Sequence, residues 1–288
     1  RSFKELVKNG LVPDFFTLHS HQAKMLKAAV SGNNCIITSG TGSGKTESFL
    51  LPLFAQLTKE LDSWEEPADR IPTQDSWWKE RSLGGLTPSQ IYDNSICSLN
   101  AATAQRSNEK RPAGVRALIL YPMNALVEDQ LTRLRKTLSS PEALQVLDQQ
   151  ANGNRIYFGR YTSKSPVTGF LNHPRLANDA DEIKSRKKRV QKLKDQLTYS
   201  QKYYENAKKF DEKSENTSDK NQYLFPNVLG SELVSRWDMQ ETPPDILVTN
   251  TSMLSIMLSR EVDQDVFENT KKWLMSDPDA YFYLVMDE

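Results

Sequence analysis

The sequence predicts an α/β fold: a mostly parallel sheet of at least about five strands, helices on both faces, and a ligand site at the strands' carboxyl ends. Three observations point there. Short apolar runs alternate with segments of helical spacing over much of the 288 residues. A glycine-rich stretch, SGTGSGKTE at residues 39–47, sits between a short apolar run and a helix-like one. Near the far end an apolar run, residues 281–286, passes directly into Asp287 and Glu288.

The length suits one large α/β domain with insertions. Lys plus Arg and Asp plus Glu both number 37, for a formal net charge of +0. A uniform basic field is thereby excluded, and any nucleic-acid contact must come from local clusters. Two cysteines, Cys35 and Cys97, lie far apart without metal-ligand spacing. Cys35 reads as a small core residue, and such usage fits a reducing cytoplasm. No apolar run has membrane-spanning length and no signal peptide is evident, so a cytoplasmic protein without membrane contact is expected. The chain starts at Arg1 and stops at Glu288, and both ends read as cuts in a longer protein.

Residues 20–30 have helical spacing and carry Gln22, whose amide offers one donor and one acceptor to an adenine edge. A glutamine near a helix start is usually only solvated; the loop downstream gives Gln22 its functional weight. His19 and His21 read as packing or capping residues, since no third ligand type joins them. Cys35-Ile36-Ile37 reads as a strand feeding the loop. Gly40, Gly42 and Gly44 permit a tight turn around Thr41 and Ser43 that brings N–H groups to phosphate oxygens. The helix beginning near Gly44 adds its positive end. Lys45 can reach the β- and γ-phosphates, and the Thr46 hydroxyl is placed for Mg²⁺. Ser39 stands where the strict pattern has glycine.

The helix after the loop runs to about Leu61, and residues 62–112 form a first insertion. Trp64, Trp77 and Trp78 in it either stack on bases or anchor the insertion to the core, and anchoring is favoured. Residues 83–88 read as a turn region. A strand at 115–121 leads through Pro122, Met123 and Asn124 into a helix with Leu131, Leu134 and Leu138 on one face. A helix start at the sheet's carboxyl edge suits a nucleic-acid phosphate. The plain alternative is a strand-to-helix turn with proline at the first helical position. A strand at 155–161 ends in Arg160, Tyr161 and Thr162, with Lys164 beyond: a phosphate-backbone contact or a polar loop.

Residues 175–240 form a second insertion. Ile183, Val190, Leu193, Leu197 and Tyr204 predict a long helix or helical hairpin with a narrow apolar seam. The basic run at 184–189 reads as a solvated face ahead of a nucleic-acid contact. Residues 211–222 read as polar and mobile. A strand at 244–250 ends in Thr249 and Asn250. With Thr251 and Ser252 these gather hydroxyls and an amide at a helix start, for capping or equally for phosphate contact. Pro278 reads as part of a turn before the last strand. There Asp287 suits Mg²⁺ held through water, and Glu288 suits polarising the attacking water.

In chain order, Gln22, the loop at 39–46, Tyr121-Pro122-Met123-Asn124-Ala125-Leu126, Arg160-Tyr161-Thr162, residues 248–254 and Val285-Met286-Asp287-Glu288 resemble the motif series of superfamily 2 DExD/H-type helicases. The resemblance is to their first RecA-like domain, a P-loop NTPase fold, and it spans nearly all of residues 1–288 outside the insertions. It implies ATP and Mg²⁺ as ligands. Lys45 and Glu288 are then catalytic, Gln22 and residues 40–46 line the nucleotide, and Thr46 and Asp287 hold the metal. Pro122, Met123, Asn124, Arg160, Tyr161, Thr162, Thr249, Asn250, Thr251 and Ser252 hold one strand's sugar-phosphate backbone. The implied parent protein is an ATP-dependent helicase or translocase, acting on DNA ahead of RNA. It would need a second RecA-like domain to supply arginine fingers, so these 288 residues alone are expected to hydrolyse ATP poorly. A duplex translocase that does not unwind, and a nucleotide-switched binding module, are the rival readings. The phrase at 118–131 is similar to one in large bacterial helicases of anti-phage defence islands, which implies defence-system partners.

Overall fold

The computed structural model describes residues 2–12, 17–38, 40, 42–79, 102–122, 125–167, 169, 175–176, 178–214 and 220–287. The 83–88 turn region, Cys97 and residues 215–219 of the polar stretch lie outside these. The helices are α1 (Ser2–Leu6), α2 (Ser20–Val30), α3 (Lys45–Glu60), α4 (Ala125–Ser139), α5 (Pro141–Gln150), α6 (Ala180–Lys213), α7 (Arg236–Glu241), α8 (Thr251–Ser259) and α9 (Gln264–Ser276). The strands are β1 (Ala117–Tyr121), β2 (Phe158–Tyr161), β3 (Glu232–Leu233), β4 (Ile246–Asn250) and β5 (Tyr283–Met286).

The five strands form one parallel sheet in the order β3-β2-β4-β1-β5. Strand side chains alternate between faces. Ala117, Ile119 and Tyr121 therefore join a core with Leu50, Leu53 and Phe54 of α3 and Leu131, Leu134 and Leu138 of α4. Leu118 and Leu120 join Met253 and Met257 of α8 and Val266 of α9 on the other face. A sheet buried on both sides needs near-continuous apolar strands, which explains ALILY in β1. The α/β expectation holds. The strands are shorter than the apolar runs that announce them, and β3 had no such run.

One expected strand is not part of the sheet. Among the described residues no ladder bonds join residues 33–38 to β5, the edge strand on that side. Ile36 is 94% exposed, and Cys35 is only half-buried, not a core residue. An apolar run becomes a strand only when its backbone bonds a neighbour in register, and here that pairing with the open edge of β5 is not made.

The tryptophans anchor the first insertion, as favoured. Trp77 and Trp78 pack with Leu193 and Leu197 of α6 and with Trp237 of α7. The Trp77 and Trp237 rings meet edge-on with centroids 5.2 Å apart. The second insertion is built on one 34-residue helix, α6, rather than a hairpin. Its seam runs through Val190, Leu193 and Leu197, whereas Ile183 is exposed. Asp179 caps it by accepting from the Glu182 N–H at 2.8 Å.

The amino ends of the central strands meet at Asp245. Its carboxylate accepts two bonds from Arg111, at 2.6 and 2.7 Å, and one from the Tyr157 N–H at 2.8 Å. Arg116 Nη1 lies 3.0 Å away. Arg116 also pairs with Glu60 at 2.8 Å, tying the end of α3 to the start of β1. The Arg111 guanidinium lies over the Trp64 ring, 3.6 Å from its centroid. Burial alone would raise the Asp245 carboxyl, but Arg111, then Arg106 and Arg116, hold it well below the ordinary carboxylate range. Removing one partner of such a cluster leaves buried charge uncompensated. Asp245→Ala is expected to cost about 3–5 kcal/mol in urea unfolding; a loss below about 1 kcal/mol would refute the role.

Asp238, in α7, is the opposite case. Burial pushes its carboxyl up to about 7, and the Gln105 N–H it accepts at 2.9 Å offsets this only in part. Between its unfolded value near 3.8 and 7 the native state binds the extra proton, so this group's stability is full at acid pH and is lost as pH rises through that window. Melting curves at acid and neutral pH should show wild type losing stability relative to Asp238→Asn as pH rises. Parallel curves for the two proteins would sink the assignment.

Candidate nucleotide and nucleic-acid site

Parallel pairing brings the functional segments to one edge. Tyr121 stands beside Asn250, Leu120 beside Met286, and Tyr161 beside Thr249. The Asp287 N–H then extends the ladder by donating to Leu120 O at 3.0 Å.

The phosphate-loop residues lead into α3 at this edge. Gly42 and Gly44 have φ of 76° and 77°, a backbone that L side chains rarely adopt. The Ser43 hydroxyl donates to Gly40 O at 2.8 Å. Lys45 and Thr46 occupy the first turn of α3, where helix N–H groups are unbonded and the dipole favours anions. Burial raises the Asp287 carboxyl, and the Lys45 charge pulls it partly back. Ser39, Thr41, Met123, Asn124 and Glu288 lie outside the described residues.

Gln22 is buried against the loop. Its amide oxygen accepts from the His19 N–H at 2.8 Å, and its nitrogen donates to Gly44 O at 3.1 Å. Each end of the amide thus makes one bond to protein. The His19 and His21 rings stack 5.5 Å apart, in keeping with packing rather than metal binding.

A second glutamine, given no role from the sequence, touches the site. Gln130 of α4 is buried and donates to the Thr46 hydroxyl at 3.1 Å. One signal existed: Gln130 falls on the apolar face of α4, between Val127 and Leu131, where a polar side chain needs a reason. Arg133 on the same helix pairs with Glu47. The Tyr121 hydroxyl is buried without a hydrogen-bond partner among the described residues. Burial, then the charges of Asp287 and Asp129, drives it well above the ordinary phenol range. An orphaned hydroxyl, a lysine whose charge acts on a carboxylate and an open helix start fit a magnesium-bound phosphate chain. Among the described residues no group of three or more His, Cys, Asp or Glu converges. Mg²⁺ asks for less, one or two protein oxygens with phosphates and water.

The strand-contacting set divides. Pro122, Thr251 and Ser252 are exposed at the edge. Asn250 caps α8, accepting from the Met253 N–H at 2.7 Å. Arg160 is ion-paired with Glu128 of α4. Tyr161, Thr162 and Thr249 are fully buried and make their contacts within the protein. The Tyr161 hydroxyl bonds Asp263 and accepts from Gln240 at 2.7 Å. The Thr249 hydroxyl donates to Tyr161 O at 2.6 Å, and Arg236 donates to Thr162 O at 2.6 Å. These three hold the edge together from beneath.

Residues 19–156 match the DEAD/DEAH box helicase family. With the parallel sheet and its loop, that match supports one class: the first RecA-like domain of a superfamily 2 DExD/H-type helicase. The chain is 30% identical over 295 residues to Druantia protein DruE of Escherichia coli (strain UMEA 4076-1). That alignment covers 94% of this chain and 14% of the relative, so the chain spans about one seventh of the relative's length. No solved structure matches.

Gly44 allows a direct test. A Cβ there would lie 2.3 Å from Gln22 Nε2. Gly44→Ala is expected to break the Gln22 bond, cost about 1–2 kcal/mol in chemical unfolding and weaken nucleotide binding at least tenfold. Unchanged stability and affinity would refute the packing of Gln22 on the loop.

Proposed function

We propose that this chain is the ATP-binding half of a nucleic-acid motor, acting on DNA ahead of RNA and coupling ATP hydrolysis to strand movement. The observation that carries the reading is the loop with left-handed Gly42 and Gly44 that opens α3 on Lys45 and Thr46, at the sheet edge where Asp287 extends the ladder of β1. Lys45 and the N–H groups at the start of α3 bind the phosphates. Thr46, oriented by Gln130, and Asp287 would hold Mg²⁺, which when bound would neutralise charge on the phosphate oxygens. Glu288 orients the attacking water. Gln22, whose amide keeps a second N–H and a second lone pair beside its two protein bonds, reads the adenine edge, so nucleotide contact is coupled to the start of α2. Pro122, Asn250, Thr251 and Ser252 offer the edge that a sugar-phosphate backbone lies along, giving contact without base readout. Arg160 joins them on release from Glu128.

A second RecA-like domain supplies the facing wall and the arginine fingers, so the 288 residues alone turn over slowly. The parent protein acts in the cytoplasm within an anti-phage defence system. The phrase at 118–131 motivates that part of the reading, and the likeness to Druantia protein DruE is consistent with it. Among the described residues no helix is long and apolar enough to cross a membrane.

Binding of a fluorescent ATP analogue with Mg²⁺ tests the core of the proposal. The intact chain should bind it, and Lys45→Ala should weaken binding at least tenfold with unchanged circular dichroism. Equal binding by the variant would overturn the loop assignment.

A further inference from the structure

The long helix α6 has two unlike faces. One is the buried seam of Val190, Leu193 and Leu197. The opposite face carries Tyr199, Tyr203 and Phe210, which are 60%, 57% and 65% exposed. At 3.6 residues per turn these rings fall within about 50° of one line, and so do Lys184, Lys188, Lys192, Lys202 and Lys213. All five lysines are exposed, and no ion pair among the described residues engages them. The line thus reads basic, aromatic, basic over about 40 Å. Asp181 and Asp195 fall on the same arc, so the face carries five lysines against two carboxylates, still a net positive stripe on a chain whose formal net charge is +0.

We propose that this outer face of α6 is a binding platform for single-stranded nucleic acid, separate from the sheet edge. Exposed aromatic rings on a basic track are what a strand without sequence readout needs, since every base has a face to stack and every nucleotide a phosphate to neutralise. The rings sit about 6 Å and about 10 Å apart along the axis, or two to three base steps of about 3.4 Å. Tyr203 is already stacked on Phe225, with centroids 5.9 Å apart, which holds it ready and widens the apolar surface. A protein partner fits less well. Lysine is depleted at protein interfaces, and a partner helix would need an aliphatic seam that this face lacks. A duplex offers no free base faces to the rings. The inference rests on the motor reading only for the class of ligand.

Fluorescence anisotropy of the intact chain with a labelled oligothymidine of about 20 nucleotides tests it, the probe exceeding a single-module site size. The triple variant Tyr199→Ala, Tyr203→Ala, Phe210→Ala should bind at least tenfold more weakly, with little change toward a blunt duplex. Lys184→Gln with Lys188→Gln and Lys192→Gln should weaken binding and flatten its salt dependence. Tyr199→Ala alone, at a ring that makes no hydrogen bond or ring contact among the described residues, should weaken binding in the same direction without disturbing the fold. Photocrosslinking of a bromodeoxyuridine strand should label peptides within residues 195–213. Unchanged affinity in the aromatic variants, or equal loss on duplex, would overturn the proposal. So would strand binding lost only in Thr251→Ala, Ser252→Ala, which leaves the motor reading standing. Loss of ATP-analogue binding in Lys45→Ala with α6 variants normal separates the two the other way.

Discussion

The carboxylate of Asp245 is the interaction on which the sheet's arrangement depends. Its backbone carbonyl accepts from the N–H groups of Arg116 and Ala117, its own N–H donates to Tyr157 O, and its side chain holds Arg111 and the Tyr157 N–H. One residue thereby joins the starts of β1, β2 and β4. Arg111 brings the end of the first insertion to the same point, and Arg116 brings the end of α3 through Glu60. Three arginines beside one buried carboxylate are tolerable because Glu60 and Glu109 share the charge and Trp64 and Trp273 cover the guanidinium faces. The cluster sits at the amino end of the sheet, where its buried ion pairs join the strand starts. It frees the carboxyl end for ligands.

That division explains the site. With the strand starts pinned, parallel register carries Leu120, Thr249 and Met286 to one level at the other end, with Tyr121, Asn250 and Asp287 the next residue along. Residues distant in the chain then meet without a dedicated scaffold. Buried bonds complete it from beneath: Thr249 to Tyr161, Tyr161 to Asp263 and Gln240, Gln22 to Gly44, Gln130 to Thr46. Their cost when left unmade is larger than their net gain when made. They therefore fix the positions of their exposed neighbours more than they add to stability.

The insertions show a second use of the same physics. Trp77, Trp78 and Trp237 form an apolar joint that docks α6 on the domain's flank. Once its seam is satisfied there, the remaining apolar side chains of α6 have no core to enter. Tyr199, Tyr203 and Phe210 stay in solvent for that reason.

Much was legible in the residues alone. The loop chemistry depends on residue type at fixed spacing, so Gly42, Gly44, Lys45 and Thr46 declared a phosphate site before any fold was known. Near-continuous apolar runs declared a sheet covered on both faces, and the seam of α6 declared a long helix or a helical hairpin, of which the structure has the single helix. Facing could not be read. Tyr161, Thr162 and Thr249 belong to segments that reach the ligand edge, but cover on both faces of the sheet buries their side chains. Cys35-Ile36-Ile37 has strand composition, yet pairing depends on a neighbour that composition does not supply. Arg160 and Gln22 have the chemistry for ligands, yet Glu128 and Gly44, contributed by other elements, bond them. Local sequence determined which groups this protein possesses. Only the tertiary structure decided which are open, because burial and pairing are set by residues far away in the chain.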